Sequence, residues 1–217
     1  MDAFLLILAL LLSGFLAYLI GSINFAIIVT RIFAKKDIRD YGSGNAGMTN
    51  VLRTVGKLPA LLVTIGDFCK GMLAVFLGHL LLSWIGGGVP FYADYLIALL
   101  VMLGHCFPVF YGFKGGKGIL VSAGVIVVLN WRVFLVILAV FIIVVAVSRI
   151  VSLASISAAV AFPIATLIFA LTSSAAHPFL DTLSALIIGG IVIFMHRGNI
   201  KRLLNGTENK LGQKKKQ

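Results

Sequence analysis

In this chain of 217 residues, the side chains best suited to chemistry lie in short polar segments between long apolar runs. The first reads Tyr41-Gly42-Ser43-Gly44-Asn45-Ala46-Gly47-Met48-Thr49-Asn50-Val51-Leu52-Arg53. Gly42, Gly44 and Gly47 interleave with Ser43, Asn45 and Thr49, so backbone N–H groups can turn inward as an anion nest, with hydroxyl and amide side chains as further donors. A helix beginning near Thr49 would add the partial positive charge of its N-terminus, and Arg53, one turn later, would close on a phosphate oxygen. The same residues also suit a plain Gly-rich turn with Ser and Asn as caps. Spacing alone does not separate the two readings.

The second segment runs Gly104-His105-Cys106-Phe107-Pro108-Val109-Phe110-Tyr111-Gly112-Phe113-Lys114-Gly115-Gly116-Lys117-Gly118. Two lysines around a Gly pair, with aromatics at the membrane boundary, suit an anionic headgroup; they equally suit a basic loop with interfacial aromatics. The nucleotide-binding pattern of Gly, four residues, then Gly-Lys-Ser/Thr is absent. Within an apolar run, Asp67 and Lys70 stand three apart on one helix face. Each charge at a bilayer centre costs on the order of 2.5–3.5 kcal/mol, so the two are expected to pair and orient their helix, with Lys70 facing a phosphate as the alternative. Ser152 and Ser155 follow Arg149, and His196 and Asn199 share a face where both can donate to an oxyanion. Serines also pack membrane helices, and a histidine also suits a helix C-terminus. His79 and His177 fall on the other side of the expected membrane and are assigned no chemistry. Cys69 and Cys106 have no metal-ligand spacing and read as buried free thiols.

These segments are rich in donors and cations and poor in acids. Only Asp37, Asp40 and Glu208 lie in the segments expected on that side, whereas a metal would want carboxylates or clustered His and Cys. No metal and no cofactor is therefore expected, and no Ser-His-Asp arrangement is evident. A site of this composition can still promote acyl transfer by positioning and electrostatics when the acyl donor arrives activated.

The elements that must position these residues are membrane helices. Sixty per cent of residues are apolar, 12% are charged, and mean hydropathy is +1.11, against about 25% charged residues in ordinary globular chains. The net charge of +11 would suggest nucleic acid in a soluble protein, but here the basic residues occupy gaps between runs of spanning length, so no nucleic-acid partner is expected. A spanning helix needs roughly 20 apolar residues. Counting gives an all-α integral membrane protein with seven transmembrane helices in one domain over 1–217. The spans fall at about 4–33, 58–85, 91–110, 114–130, 131–147, 151–172 and 177–196, followed by a basic tail, 201–217, beside anionic lipid. The fourth is short, 12 residues from Gly118 to Leu129, unless it borrows from the Gly-rich stretch before it. The first run is too long and lacks the basic leader of a cleavable signal peptide. Apart from Arg132 and the intramembrane Lys70, every Lys and Arg falls on one side of this map, which places the N-terminus outside and the C-terminus in the cytoplasm. The polar segments then face the cytoplasm together and could converge on one anionic pocket.

In order along the chain, Gly-Ser-Ile-Asn-Phe at 21–25, Gly-Ser-Gly-Asn-Ala-Gly-Met-Thr-Asn-Val-Leu-Arg at 42–53, Asp-Phe-Cys-Lys-Gly at 67–71, the 104–118 segment, Val-Ser-Leu-Ala-Ser-Ile at 151–156 and His-Arg-Gly-Asn-Ile at 196–200 resemble the bacterial acyl-phosphate-dependent glycerol-3-phosphate acyltransferases, the PlsY family. The first loop and Phe-Lys-Gly-Gly-Lys-Gly are the specific signals. Asn24, Ala26 and Gly198 depart from the family's usual residues, and none of these is a proposed phosphate ligand.

The resemblance implies a multi-pass enzyme of the bacterial inner membrane with its site facing the cytoplasm. It would move a fatty acyl group from acyl phosphate to the 1-hydroxyl of glycerol 3-phosphate, with membrane lipids around it and transient contact with the soluble enzyme that makes the donor. By the same resemblance Ser43, Asn45 and Thr49 would line the phosphoryl pocket of the donor, with Gly42, Gly44 and Gly47 around them. Arg53, Lys117, Ser155, His196 and Asn199 would hold glycerol phosphate. Lys114, His105, Asp67 and Lys70 match family positions as well. Acyltransferases using acyl-CoA or acyl-carrier protein typically carry His, four residues, then Asp; here Trp84, Phe110, Thr182 and Lys201 stand five after the histidines. An organophosphate transporter would need polar residues on both sides of the membrane midplane, and a lipid-binding scaffold would not need Lys117, His196 and Asn199 together.

Overall fold

Asn24 divides the first apolar run. The computed structural model describes residues 2–173 and 175–212, and in it the expected span at 4–33 is two helices, α1 (Ala3–Ser22) and α2 (Phe25–Ala34). Asn24 is extended, and its Oδ1 accepts the Ile27 N–H at 3.0 Å. A short side chain that caps the following turn competes with continuation of the helix through it. Hydropathy counting cannot see this interruption.

The remaining helices are α3 (Met48–Thr54), α4 (Lys57–Ile85), α5 (Ala93–Cys106), α6 (Ile119–Leu129), α7 (Trp131–Ser148), α8 (Val151–Thr172), α9 (Pro178–Met195) and α10 (Arg197–Leu204). Single 3₁₀ turns form at Ile38–Asp40 and Val109–Tyr111. Among the described residues, six segments have the length and composition of membrane spans: Ala3–Ala34, Lys57–Ile85, Ala93–Tyr111, Trp131–Ser148, Val151–Thr172 and Pro178–Met195. The fourth expected span, 114–130, is helical only as α6. Its 11 residues rise about 16 Å, roughly half the hydrocarbon thickness. Residues 114–118 stay non-helical, so α6 borrows nothing from the glycines before it.

The packing defines two compact units, residues 1–129 and 130–217. In the first, α1 packs on α4 and α5, and α4 packs on α6, α2 and α3. Its buried positions on α1 are small apart from Ile20, including Ala9, Ser13, Gly14, Ala17 and Gly21, while Phe4, Leu11 and Phe15 are exposed. Small residues inside and large apolar residues outside are what lipid permits, because close backbone approach rather than water exclusion holds the helices together. At the α1–α5 crossing a Cβ on Gly21 would strike the Val101 carbonyl, and one on Gly104 the Tyr18 carbonyl. In the second unit, α7 packs on α8 and α8 on α9. Arg149, in a left-handed conformation at φ 60°, ends α7 and turns the chain into α8.

Cys106 is buried as expected, but Cys69 is exposed. On α4 the buried face carries Asp67, Lys70, Gly71 and Ala74. Residue 69 follows Asp67 by about 200° of helical rotation and so points away from it. Lys214, Lys215 and Lys216 of the expected basic tail lie outside the described residues.

Candidate active site

The Gly-rich loop of the first unit is organised by Asn50, a residue that its spacing gave no reason to single out. Asn50 is buried on the first turn of α3. Its Oδ1 accepts the Ser43 N–H at 3.0 Å, and its Nδ2 lies 3.1 Å from the Ile38 carbonyl, 2.9 Å from that of Tyr41 and 3.1 Å from that of Asn45. Gly42 and Gly44 supply the left-handed turns, at φ 61° and 71°, which β-carbon-bearing residues enter at a cost. α3 begins at Met48 after Gly47, close to the expected Thr49, and Arg53 stands in its last turn. The simple nest is only partly present. Ser43, Gly44 and Gly47 already give their N–H groups to Asn50 Oδ1, Tyr41 O and Asn45 O. A phosphate in this loop would therefore meet side chains rather than these three N–H groups. Ser43 and Arg53 are exposed, while Asn45 and Thr49 are half-buried.

Arg39 fastens the segment before this loop to the Lys-rich segment. Its Nε and Nη2 donate to Asp37 at 3.0 and 2.9 Å, and Nη1 donates to the Tyr111 carbonyl at 2.7 Å and the Lys114 carbonyl at 3.5 Å. The Arg39 guanidinium bonded to Asp37 holds that carboxyl down at about 2, against a smaller opposing push from burial. Beside this clasp is a cavity of about 510 Å³ lined by Asp37, Arg39, Asp40, Gly44, Tyr111 and Lys114, among others. Of the residues anticipated from sequence, it contains Gly44 and Lys114. The Lys-rich segment folds back on the end of α5: Gly115 N–H donates to Cys106 O at 3.1 Å and Gly116 N–H to His105 O at 3.0 Å. Lys114 is exposed and Lys117 half-buried.

Beneath both loops lies the expected Asp67–Lys70 pair, at 2.9 Å with both side chains almost fully enclosed. Lys70 Nζ also lies 2.6 Å from Ile23 O, 3.1 Å from Gly21 O and 3.0 Å from His105 Nδ1. The enclosure and this full set of partners leave Lys70 internal to the fold rather than facing a phosphate.

In the second unit, His196 joins α9 to α10. Its Nδ1 lies 2.8 Å from the Val192 carbonyl, and since a carbonyl only accepts, Nδ1 carries a proton. Asn199, buried one turn on, gives its amide to both oxygens of Glu208 at 3.2 Å. Glu208 is buried and also accepts from Arg202 Nε at 2.8 Å. It was visible in the sequence only as a lone acid among basic residues, and its role in fixing Asn199 depends on the turn after α10. Ser152 and Ser155 are both buried on the first turns of α8.

Membrane-length helices joined by loops that carry cations and neutral donors define an integral membrane protein. The profile of the glycerol-3-phosphate acyltransferase family matches residues 11–206. A glycerol-3-phosphate acyltransferase of Neisseria meningitidis serogroup C is 40% identical over 200 residues, 92% of this chain and 96% of that one. Glycerol-3-phosphate acyltransferase 2 of Bacillus anthracis is 44% identical over 201 residues, 93% and 98% of the two chains. The crystal structure of PlsY (YgiH), an integral membrane glycerol 3-phosphate acyltransferase in its glycerol 3-phosphate form, superposes with a TM-score of 0.80 at 36% identity, covering 94% of this chain and 96% of that one. The chain belongs to the glycerol-3-phosphate acyltransferase family, on its PlsY branch.

Proposed function

We propose that this protein transfers a fatty acyl group from acyl phosphate to the sn-1 hydroxyl of glycerol 3-phosphate, forming 1-acyl-sn-glycerol 3-phosphate (lysophosphatidic acid) and inorganic phosphate for phospholipid synthesis. The observation that carries this reading is the likeness, over nearly the whole chain, to a PlsY solved in a glycerol 3-phosphate form and in a lysophosphatidic acid form.

Ser43, Asn45 and Thr49 receive the phosphoryl group of the donor, with Gly42, Gly44 and Gly47 shaping the turns between them. Arg53, Lys114 and Lys117 supply positive charge in the first unit, with Lys117 on the glycerol phosphate. In the second unit Ser155, His196 and Asn199 are assigned to glycerol phosphate. The substrate hydroxyl attacks the acyl carbonyl, the tetrahedral oxyanion is stabilised by the Asn45 side chain, and the carbon–oxygen bond to phosphate breaks. The departing phosphate takes the hydroxyl proton. This fits loops rich in donors and short of carboxylates, because a donor that brings its own base needs positioning more than a protein base. No metal or other cofactor enters the reaction. The enzyme spans the bacterial inner membrane with its N-terminus outside and its site and C-terminus cytoplasmic, which follows from the one-sided placement of its basic residues. A soluble enzyme supplies the acyl phosphate by transient contact.

The test is a transfer assay on purified, detergent-solubilised protein with glycerol 3-phosphate and either palmitoyl phosphate or palmitoyl-CoA, without added metal. Lysophosphatidic acid and phosphate from the acyl phosphate alone are expected. Product only from the thioester overturns the donor, and no product from either overturns the reading.

A further inference from the structure

A lysine ammonium has three N–H bonds to give and nothing with which to accept. Around Lys70 Nζ stand the Ile23 carbonyl at 2.6 Å, the Gly21 carbonyl at 3.1 Å and His105 Nδ1 at 3.0 Å, with Asp67 Oδ1 at 2.9 Å as counter-charge. Burying such a pair in a membrane protein costs several kcal/mol for each ion unless every partner is in place. A pair that only joined two helices could be replaced by apolar packing, so the identity of the partners matters.

The two carbonyls belong to the break between α1 and α2, where helical bonding is interrupted and carbonyl groups would otherwise stand unsatisfied in lipid. The break also sets Asn24, whose Nδ2 reaches the Ala46 carbonyl of the Gly-rich loop at 3.5 Å. The third partner leads to the other loop. Since Lys70 can only donate, His105 Nδ1 accepts, and the ring's proton sits on Nε2. That atom lies where a Cβ on Gly116 would stand, with the Ala46 carbonyl close by. The backbone carbonyl of His105 holds the Gly116 N–H at 3.0 Å. One ammonium therefore reaches the base of the Asn45–Ala46 turn through Asn24, and the residue preceding Lys117 through His105.

We infer that Lys70 is a positioning residue for acyl transfer: by satisfying the Gly21 and Ile23 carbonyls and seating His105 under Gly116, it fixes the Gly-rich loop and Lys117 in one register. The inference rests on the acyltransferase reading of those loops. It assigns Lys70 no contact with substrate. A displacement of a binding group by about 1 Å costs on the order of 100-fold in rate, so loosening the register registers in kinetics before the fold is lost.

The test compares wild type with Asp67→Asn/Lys70→Met, which removes both buried charges together, and with His105→Asn, which keeps an acceptor near the Nδ1 position but withdraws the ring from under Gly116. Each is purified in detergent and checked for monodispersity and thermal midpoint, then assayed with glycerol 3-phosphate and palmitoyl phosphate. The expected result is folded variants in which KM for glycerol 3-phosphate rises at least about 10-fold, with a smaller fall in kcat. Folded variants with wild-type KM overturn the inference. If only the double variant fails to fold, KM of His105→Asn decides it, and if both fail, the cluster is a structural staple and the inference is overturned. Wild-type protein that makes no lysophosphatidic acid sinks the functional reading and this inference together, whereas active wild type with unchanged variants sinks the inference alone.

Discussion

Asn50 accepts the Ser43 N–H through Oδ1 at 3.0 Å while its Nδ2 reaches carbonyls on both sides of that residue, the nearer that of Tyr41 at 2.9 Å. One buried amide thus shapes the Gly-rich loop from inside. Asn50→Ala leaves a set of loop groups unpaired, each costing about 1–3 kcal/mol where burial keeps water away. The expected outcome is a thermal midpoint lowered by several degrees and a KM for acyl phosphate raised at least about 10-fold. A variant with wild-type KM for the donor would remove Asn50 from the organisation of that loop.

Arg39 and Asp37 give a pH prediction. The folded-state pKa of Asp37, about 2, lies below the ordinary carboxylate value of 3.8. A depressed carboxylate contributes stability that is fully present above its unfolded pKa and is lost as pH falls through the folded one. The Asp37 contribution is therefore constant from pH 5 to 8 and disappears between about pH 4 and 2. Thermal melts of Asp37→Asn should differ from wild type by a constant amount above pH 5 and converge toward wild type in that acid window. An equal gap persisting at about pH 2 would show that Arg39 does not hold Asp37 in solution as it does here.

For Lys117, the expectation concerns the second substrate. Lys117→Ala withdraws a cation from a dianionic substrate and should raise KM for glycerol 3-phosphate by about 10- to 100-fold, consistent with about 1.5–3 kcal/mol for a hydrogen bond to a charged group. KM for acyl phosphate should change less. Unchanged apparent affinity for glycerol 3-phosphate would remove Lys117 from that role.

His196 separates binding from proton transfer. His196→Asn keeps a donor near the Nδ1 position, where the Val192 carbonyl lies 2.8 Å away, and removes Nε2. If the donor's phosphate takes the proton, kcat should stay flat between pH 6 and 8 in wild type and variant alike, with the loss confined to KM. A wild-type limb with an apparent pKa in that range that vanishes in the variant would instead make His196 the base.

Glu208 carries a stability prediction confined to the second unit. Glu208→Ala leaves Arg202 without the carboxylate 2.8 Å away and Asn199 without its acceptor. Breaking a buried charged pair from one side costs about 3–5 kcal/mol, less where Arg202 is partly exposed. Faster thermal inactivation in detergent is expected, together with weakened use of glycerol 3-phosphate. Wild-type inactivation kinetics would show that the turn after α10 is held by other contacts.

Much of this protein is written locally in its chain. Hydropathy and length set the long helices within a few residues of where they stand, from Lys57–Ile85 to Pro178–Met195, because a bilayer-spanning segment must satisfy its own backbone over about 20 residues. The helix start after Gly47 and the i, i+3 pairing of Asp67 with Lys70 follow from rules that span a single turn. What only the tertiary structure decided involves partners far apart in sequence. Asn24 breaks a run that hydropathy reads as continuous, and the carbonyls exposed there find Lys70, 47 and 49 positions later. Arg39 selects the Tyr111 carbonyl 72 residues away. Cys69 faces outward because packing, not polarity, chose the buried face of α4. A buried donor must be satisfied, but its residue type does not say by whom. That choice is made when the helices pack, and in this protein it determines how the polar loops are held.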